Sequence, residues 1–240
     1  MKLEGKRVLV TGGNRRVGEV IVRHLADLGA KVVIHARSSH RQEVEALLGS
    51  LPSEGHRMVL ADFLDPEALT VMTEEARDCH GIIFNASLYR HNYCGGDPEF
   101  DKALEQVNCR FALQLLEKWK TFESARAAVA VLDQAVMGCD ENDPYQQSRL
   151  KLWQGMLALA VDCQGIRFNA VAPGPMLPPP ELPHSTMAKT TALLPLKRAV
   201  DPMDLARSAV FLLTCESLTG SLLPVDCGQS AARRLKKKLI

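Results

Sequence analysis

Residues 7–18, RVLVTGGNRRVG, decide the fold class of this chain. In the first five of them, RVLVT, apolar and β-branched side chains predominate, which predicts a buried strand. The apolar spacing of residues 17–28 then predicts a helix that ends at Gly29, a typical carboxyl-terminal cap. A glycine-rich turn between a first strand and a first helix lets backbone N–H groups approach a phosphate. The segment therefore predicts a βα unit with a phosphate-binding turn.

The same alternation of apolar runs and helical spacing continues along the rest of the chain. Further strands are predicted at residues 31–35, 57–61, 81–85, 127–132, 166–171 and 221–225. Further helices are predicted at residues 39–51, 65–79, 97–120, 145–162 and 203–213, with Asp65 capping the helix that follows it. Apolar strands that alternate with helices favour a parallel sheet covered on both faces. We expect one α/β domain over residues 1–240, a doubly wound Rossmann-type fold with a mostly parallel seven-stranded sheet.

The composition of the 240 residues argues against several classes of protein. Lys and Arg number 29 against 28 Asp and Glu, a net charge of +1 that favours neither nucleic acid nor an anionic membrane as partner. No apolar run approaches the ~18 residues that span a bilayer, and the amino-terminal apolar stretch is too short for a signal peptide. The seven Cys residues form no CxxC pair, so neither a disulfide framework nor a zinc site is expected. A cytoplasmic location without a bound metal is the expectation.

The end of the second predicted strand indicates which nucleotide the glycine-rich turn would bind. An acidic residue about 20 residues beyond that turn is typical of proteins that bind a free adenosine ribose. The sequence instead reads His35-Ala36-Arg37-Ser38-Ser39. A cation and hydroxyl groups suit a 2′-phosphate, which an acidic side chain would repel. The pattern predicts NADPH in preference to NADH.

Further motifs follow the glycine-rich turn in a defined order. Asn85-Ala86-Ser87 follows the fourth strand, Asn108 lies in a long helix, Tyr145 begins the next helix, and NAVAPGP at residues 169–175 ends the sixth strand. With these motifs the chain resembles the short-chain dehydrogenase/reductase family over essentially its whole length. Arg16 stands where the middle glycine of the family's TGxxxGxG motif belongs. That replacement, together with HARSS after the second strand, resembles the NADPH-using pteridine reductase-like branch.

The resemblance implies a cofactor site at the ends of the strands. Asp62 and the Phe63 amide would meet the adenine, and Pro173 and Gly174 would approach the nicotinamide carboxamide. The cofactor-binding candidates are Gly12, Asn14, Arg15, Arg16, Val17, Gly18, His35, Arg37, Ser38, Asp62, Phe63, Asn85, Ala86, Ser87, Pro173, Gly174 and Met176. Of these, we expect Arg16, Arg37 and Ser38 to surround the 2′-phosphate.

The resemblance also implies the catalytic candidates Tyr145, Arg149, Asp133 and Asn108. In the family a tyrosine gives a proton, and a lysine one helical turn later lowers its pKa and holds the nicotinamide ribose. Here Arg149 replaces that lysine, with a permanent charge but a different geometry. Asp133 lies 12 residues before Tyr145, close to where pteridine reductases carry an aspartate.

Three functions remain open at this point. The chain could be an NADPH-dependent reductase of a pterin or a related heterocycle, or a general carbonyl reductase without pterin specificity. Because Arg149 replaces the family's lysine, it could also be a catalytically weak NADP-binding protein that serves in regulation or as a scaffold. In the family the helices predicted at 97–120 and 145–162 pack between subunits, which implies a homodimer or homotetramer acting on a small-molecule substrate.

Two segments near the carboxyl end have distinctive compositions. Residues 173–183, PGPMLPPPELP, are rich in proline, which favours an active-site lid over residues 176–195 rather than a polyproline ligand for a partner. The basic ending, RRLKKKLI at residues 233–240, is expected to be a solvated and partly disordered tail.

Overall fold

The computed structural model of the chain describes residues 1–91, 93–178 and 187–238, and its strands form one sheet. The strands are β1 Arg7–Thr11, β2 Lys31–Ala36, β3 Arg57–Leu60, β4 Gly81–Phe84, β5 Ala127–Val131, β6 Arg167–Pro173 and β7 Leu222–Val225. Their order is β3-β2-β1-β4-β5-β6-β7, and each neighbouring pair is parallel. The predicted doubly wound fold is confirmed, and the sheet is wholly rather than mostly parallel.

Helices cover both faces of this sheet. They are α1 Arg16–Asp27, α2 Arg41–Ser50, α3 Ala68–Ala76, α4 Pro98–Glu105, α5 Phe111–Trp119, α6 Pro144–Asp162, α7 Met187–Ala192, α8 Pro202–Thr214 and α9 Gln229–Lys238. A π-helical segment, Gln106–Arg110, joins α4 to α5, so the single long helix predicted at 97–120 changes its winding at the centre. Short 3₁₀ turns lie at Ser38–His40 and Gln134–Gly138.

The hydrophobic core is divided by the sheet into two layers. Because successive side chains of a strand point to opposite faces, Leu9 packs into one layer while Val8 and Val10 pack into the other. The first layer holds α3, α5 and α6, where buried Trp119 donates its indole N–H to the Cys79 carbonyl at 3.0 Å. The second holds α1, α2 and α8. Each fully buried aliphatic side chain contributes roughly 1.5–3 kcal/mol, so both layers fix the strand ends that carry the site.

Local signals account for where several helices begin and end. Gly29, with φ +81°, ends α1 as predicted. Asp65 does not cap α3: the helix begins at Ala68, and the Asp65 carboxylate instead accepts the Glu67 N–H in the turn before it. The basic ending is helical as far as Lys238 rather than a disordered tail, because the Asp226 carboxylate accepts the N–H groups of Gly228 and Ser230 at the start of α9.

The described residues include only part of the predicted lid. Of the lid predicted at 176–195, residues 179–186 lie outside the described residues. Residues 187–192 form α7, which the sequence patterns did not predict. No helix in the described part of the chain is both long enough and apolar enough to cross a membrane.

Candidate functional site

A cavity of about 330 Å³ opens where the carboxyl ends of β1, β2, β3 and β4 meet. This nucleotide cavity is lined by most of the residues that the sequence predicted for a cofactor: Gly12, Asn14, Arg15, Arg16, Val17, Gly18, His35, Arg37, Asp62, Phe63, Asn85, Ala86 and Ser87. His40, Leu64, Leu88 and Val107 also line it and were not predicted. In parallel α/β sheets the crevice outside the strand ends is where ligands bind.

The phosphate-binding turn contains a residue in the left-handed conformation, at the position where the resemblance implies a glycine. Arg16 has φ +52°, the left-handed conformation that explains why a glycine usually occupies this position. A Cβ atom on Gly12 would lie 3.0 Å from the Ala86 Cα, so the two backbones approach closely. No side chain caps the amino end of α1 at Arg15. Its N–H groups are therefore available to an anion, and the turn fits a pyrophosphate.

His35 is hydrogen-bonded to the backbone of this turn. Its Nδ1 accepts the Gly12 N–H at 3.2 Å, and its Nε2 lies 3.1 Å from the Ala61 carbonyl oxygen, to which it donates. The ring stacks on Phe63 with centroids 4.4 Å apart, and Phe63 stacks in turn on Phe111. Burial lowers the pKa of His35 to about 4, so the imidazole is neutral near pH 7. Both nitrogens are thus committed to the protein.

Thr11 and Asn85 fasten the ends of β1 and β4 to each other. The Thr11 hydroxyl accepts the N–H groups of Asn85 and Ala86, each at 3.0 Å. The Asn85 side-chain amide donates to the carbonyls of Thr11 and Gly12, at 3.2 and 2.9 Å. These bonds fix the wall of the cavity along which a dinucleotide would lie.

The corner of the cavity beside β2 is rich in cations. Arg15, Arg37 and His40 line it, and the Asn14 amide donates to Glu43 in α2 at 2.6 Å. Ser38 is exposed in the 3₁₀ turn and is not brought to the cavity. The Arg16 guanidinium donates to the Pro178 carbonyl at 2.9 Å. Arg16 therefore connects the turn to the proline-rich segment besides lining the cavity.

The remaining predicted cofactor residues lie at the end of β6, outside the cavity lining. Gly174 donates its N–H to the Val225 carbonyl at 3.0 Å, and a Cβ atom on it would lie 2.8 Å from the Asp226 Cα. Met176 packs against the second core layer. Pro173 and Gly174 are therefore held against β7 rather than against the cavity beside β1 and β4.

Tyr145, at the start of α6, lines a second cavity of about 220 Å³ together with Tyr89, Arg90, Tyr93, Cys94, Leu104 and Asp143. The Tyr89 ring meets the Tyr145 ring edge-on, with centroids 5.1 Å apart. Ser87, which lines the nucleotide cavity, lies beside the Tyr145 hydroxyl, and hydrogen bonding from Ser87 lowers the pKa of the phenol. The two cavities therefore adjoin at the Ser87–Tyr145 pair.

The electrostatic environment of Tyr145 differs from the sequence expectation. Burial raises the pKa of Tyr145, and the opposing effect of the Arg149 charge, with the Ser87 hydrogen bond, does not offset it. The predicted lowering by Arg149 is therefore present, but burial outweighs it. The group stays a protonated phenol at neutral pH.

Arg149 itself is buried, with 2% of its surface exposed. Its guanidinium donates to the carbonyls of Val131 and Asn108, and its Nε has no hydrogen-bond partner among the described residues. Arg149 lines neither cavity. In this conformation Arg149 is not positioned to contact the nicotinamide ribose, although the resemblance implied that contact.

Asn108 braces the loop after β4 through all four of its side-chain hydrogen-bonding positions. Its Oδ1 accepts the Leu88 N–H at 2.7 Å and the Ser87 hydroxyl at 3.3 Å. Its Nδ2 donates to the Leu88 carbonyl at 2.9 Å and to Ser148 in α6 at 3.2 Å. Asn108 thereby holds Ser87 against the helix that carries Tyr145.

Asp133 begins the 3₁₀ turn after β5, and its carboxylate accepts the Ala135 N–H at 2.7 Å. Burial raises the pKa of Asp133, while the charges of Arg149 and Arg233 oppose that rise. Arg233 comes from α9 and donates to the Gln134 side chain at 2.9 Å. Arg233 was not among the predicted site residues, because the basic ending was expected to be a solvated tail without contacts to the site.

Comparisons with known proteins agree with this geometry. A family model described as enoyl-(acyl carrier protein) reductase matches residues 13–230. Oxidoreductase UcpA of Escherichia coli O157:H7 is 27% identical, over 95% of this chain and 96% of its own. Versicolorin reductase stcU of Emericella nidulans is 28% identical, over 95% and 96%. The solved structure of FolM alternative dihydrofolate reductase 1 from Brucella canis, complexed with NADP, is 28% identical, with a TM-score of 0.85 over 96% of both chains.

Proposed function

Because this chain belongs to the short-chain dehydrogenase/reductase family and binds NADP(H), we propose that it is an NADPH-dependent reductase of a carbonyl or imine group. The observation that carries the proposal is the contact between Ser87 and Tyr145, which joins a nucleotide cavity to a second cavity at a phenol hydroxyl. NADPH supplies the hydride when it is bound. The chain must therefore supply a proton and a place for the substrate.

Tyr145 is the proton donor in this proposal. Reduction adds a hydride to the carbon of the C=O or C=N bond and a proton to its oxygen or nitrogen. The half-buried phenol keeps its proton at neutral pH, because desolvation raises its pKa. Asn108 and Ser87 hold the loop beside it, so the hydroxyl has a fixed position at the border of the two cavities.

A flat, pterin-like heterocycle is the substrate class that we favour. Tyr89 presents an aromatic ring, 52% exposed, beside Tyr145 in the second cavity. Asp133 provides a carboxyl group near Tyr145, and such a group can pair with the ring nitrogens of a pyrimidine. The likeness to the Brucella canis alternative dihydrofolate reductase, at 28% identity, supports the same class.

A second function, a catalytically weak NADP-binding protein for regulation or scaffolding, is favoured by one specific observation. The cation that follows Tyr145 by one helical turn is enclosed between Val131 and Asn108 and does not line the nucleotide cavity. An arginine held in this way contributes its charge but no contact with the nicotinamide ribose. This function predicts tight NADPH binding without turnover.

We further propose that the protein is a cytoplasmic homo-oligomer. Val161, near the end of α6, is 85% exposed and would be covered if this helix packs against a second copy of the chain. Cys79 and Cys109 are buried thiols, and burial raises the pKa of Cys79 to about 12. Inert buried thiols of this kind suit a reducing compartment.

The test is NADPH consumption with a panel of substrates, alongside calorimetric binding of NADPH. Faster turnover of dihydrobiopterin or dihydrofolate than of simple ketones would support a pterin-like substrate. Turnover of ketones alone would make the protein a general carbonyl reductase. Tight NADPH binding without oxidation on any substrate of the panel would replace the reductase by the regulatory or scaffold function.

A further inference from the structure

His40 ends the 3₁₀ turn after β2 and lines the nucleotide cavity beside Arg37. Its side chain is 17% exposed, and its Nδ1 lies 3.0 Å from the Glu43 Oε1 in α2. A carboxylate only accepts hydrogen bonds, so Nδ1 carries a hydrogen in this contact. Hydrogen bonds from His40 and Asn14 lower the pKa of Glu43, which keeps it a carboxylate.

Glu43 is itself fixed from the other side. Asn14, which is buried in the phosphate-binding turn, donates its side-chain amide to the Glu43 Oε2 at 2.6 Å. The series Asn14–Glu43–His40 therefore ties the turn to the corner of the cavity that holds the exposed cations. It also gives each carboxylate oxygen of Glu43 a hydrogen-bond partner, so this acidic side chain is held by the protein.

The tautomer determines what His40 offers to a ligand. With its hydrogen on Nδ1, a neutral imidazole presents only a lone pair at Nε2 and cannot donate to a phosphate oxygen. A second proton converts Nε2 into a donor and gives the ring a positive charge. We propose that His40 is a proton-linked determinant of cofactor choice, which donates from Nε2 to the 2′-phosphate of NADP(H) only as an imidazolium. The proposal rests on the proposed function, with the 2′-phosphate of NADP(H) placed at the corner of the cavity that Arg15, Arg37 and His40 line.

The other ionisable groups of the cavity do not have this property. Arginines keep their charge across the physiological pH range, so Arg15, Arg16 and Arg37 attract a phosphate equally at every such pH. His35 has both nitrogens engaged by Gly12 and Ala61. Asp62 accepts the Leu64 N–H and carries a charge of the wrong sign for a phosphate. Uptake of a proton adds a donor to an imidazole, so a proton-dependent change of selectivity falls to His40.

The test is calorimetric binding of NADPH and of NADH between pH 5.5 and 8.5, for the natural protein and for His40→Gln. The matched control is His56→Gln, because His56 accepts the Val32 N–H near the amino-terminal end of β2, away from the cavity. As the pH falls from 8.5 to 5.5, the preference of the natural protein for NADPH over NADH should rise about tenfold relative to that of His40→Gln. A change of about tenfold corresponds to one charge-assisted hydrogen bond. His56→Gln should follow the natural protein.

The comparison with His40→Gln also distinguishes protonation of His40 from protonation of the ligand's own 2′-phosphate. A phosphate monoester takes up its own proton near pH 6, and that effect is the same for every variant. Equal pH dependence of the preference in the natural protein and in His40→Gln would overturn the inference while leaving NADPH binding, and the proposed function, in place. Absence of NADPH binding at every pH would instead overturn the proposed function.

Discussion

The Arg149 guanidinium donates to the main-chain carbonyl of Asn108 at 3.4 Å, across the space between α6 and the π-helical segment. A second bond to the Val131 carbonyl ties the same group to the end of β5. The cation one turn after Tyr145 thus joins three elements that support the site. It influences Tyr145 and Asp133 through its charge rather than by contact with a nucleotide.

Replacement of Arg149 should therefore affect stability more than cofactor binding. Arg149→Met removes the side-chain donor from two buried carbonyls and should lower the free energy of unfolding by about 2–4 kcal/mol in urea denaturation. The dissociation constant of NADPH should change by less than about threefold, which is well below the effect of one lost charged contact. Arg149→Lys keeps the charge and should lose about half as much stability. A tenfold weaker binding of NADPH with unchanged stability would place Arg149 at the ribose instead.

The order of the elements and most of the nucleotide cavity follow from local sequence patterns. Each local pattern, whether a βα turn, the end of a strand or an apolar repeat, is contained in a few consecutive residues. His35, Asp62 and Asn85 could therefore be assigned to the carboxyl ends of the strands. The burial of Arg149 could not be assigned in this way. Its partners Val131 and Asn108 are 18 and 41 residues away, and only the packed helices bring them together.

The sequence patterns also did not predict that α9, the carboxyl-terminal helix, is ordered. The composition of α9 is that of a solvated segment, and its pattern gives no reason for order. Order comes from Asp226, which caps the helix, and from Arg233, which bonds to Gln134. The Asp226 contacts reach no further than four residues and are a local capping signal. The contact between Arg233 and Gln134 joins residues 99 apart, and a sequence pattern does not encode the geometry that brings them together.

Arg37 should determine the preference for NADPH over NADH. Arg37→Asp replaces an exposed cation of the cavity by an anion, which would repel a 2′-phosphate, so the preference should fall by at least about tenfold or reverse. Calorimetry with both cofactors measures it. The control is Arg41→Asp, because Arg41 pairs with Glu45 on α2 and does not line the cavity. Equal losses in the two variants would mean that general charge, and not Arg37, decides the preference.

His35 should make the fold sensitive to acid. Its pKa of about 4 in the folded state lies below the ordinary value of 6.5, so the unfolded chain binds the proton more readily. The stabilising contribution is therefore complete above pH 6.5 and is lost as the pH falls toward 4, a loss of about 3 kcal/mol in all. Urea denaturation of the natural protein and of His35→Gln at pH 8, 6 and 4.5 checks this. The stability of the variant should fall less steeply, and parallel curves would contradict the assignment.

Arg233 should tune the carboxyl group of Asp133. The charges of Arg233 and Arg149 oppose the rise that burial causes in the pKa of Asp133, whereas Asp143 adds to it. Arg233→Gln should therefore move the Asp133-dependent limb of the pH profile of kcat/KM to higher pH. Arg234→Gln is the control, since Arg234 contacts only the Met137 sulfur among the described residues. A limb that moves equally in both variants would show a nonspecific effect of helix charge.

Tyr145→Phe tests the reaction itself. The variant keeps the ring and its edge-on contact with Tyr89 but loses the hydroxyl that bonds to Ser87 and would give the proton. Turnover should fall by ~10²–10⁴, the usual contribution of a positioned acid, while NADPH binding stays nearly unchanged. Because burial raises the pKa of Tyr145, the phenol of the natural protein should support turnover across the neutral range and fail only in strong alkali.

The matched control for that experiment is Tyr93→Phe. Tyr93 lines the same cavity, but its hydroxyl donates to Asp101 at 2.7 Å, so its loss should leave turnover within about threefold. Similar losses in both variants would mean that the cavity has been disturbed rather than that a proton donor has been removed. If neither the natural protein nor Tyr145→Phe oxidises NADPH although both bind it, Tyr145 has no catalytic role. Its hydrogen bond to Ser87 then serves only to connect the nucleotide cavity to α6.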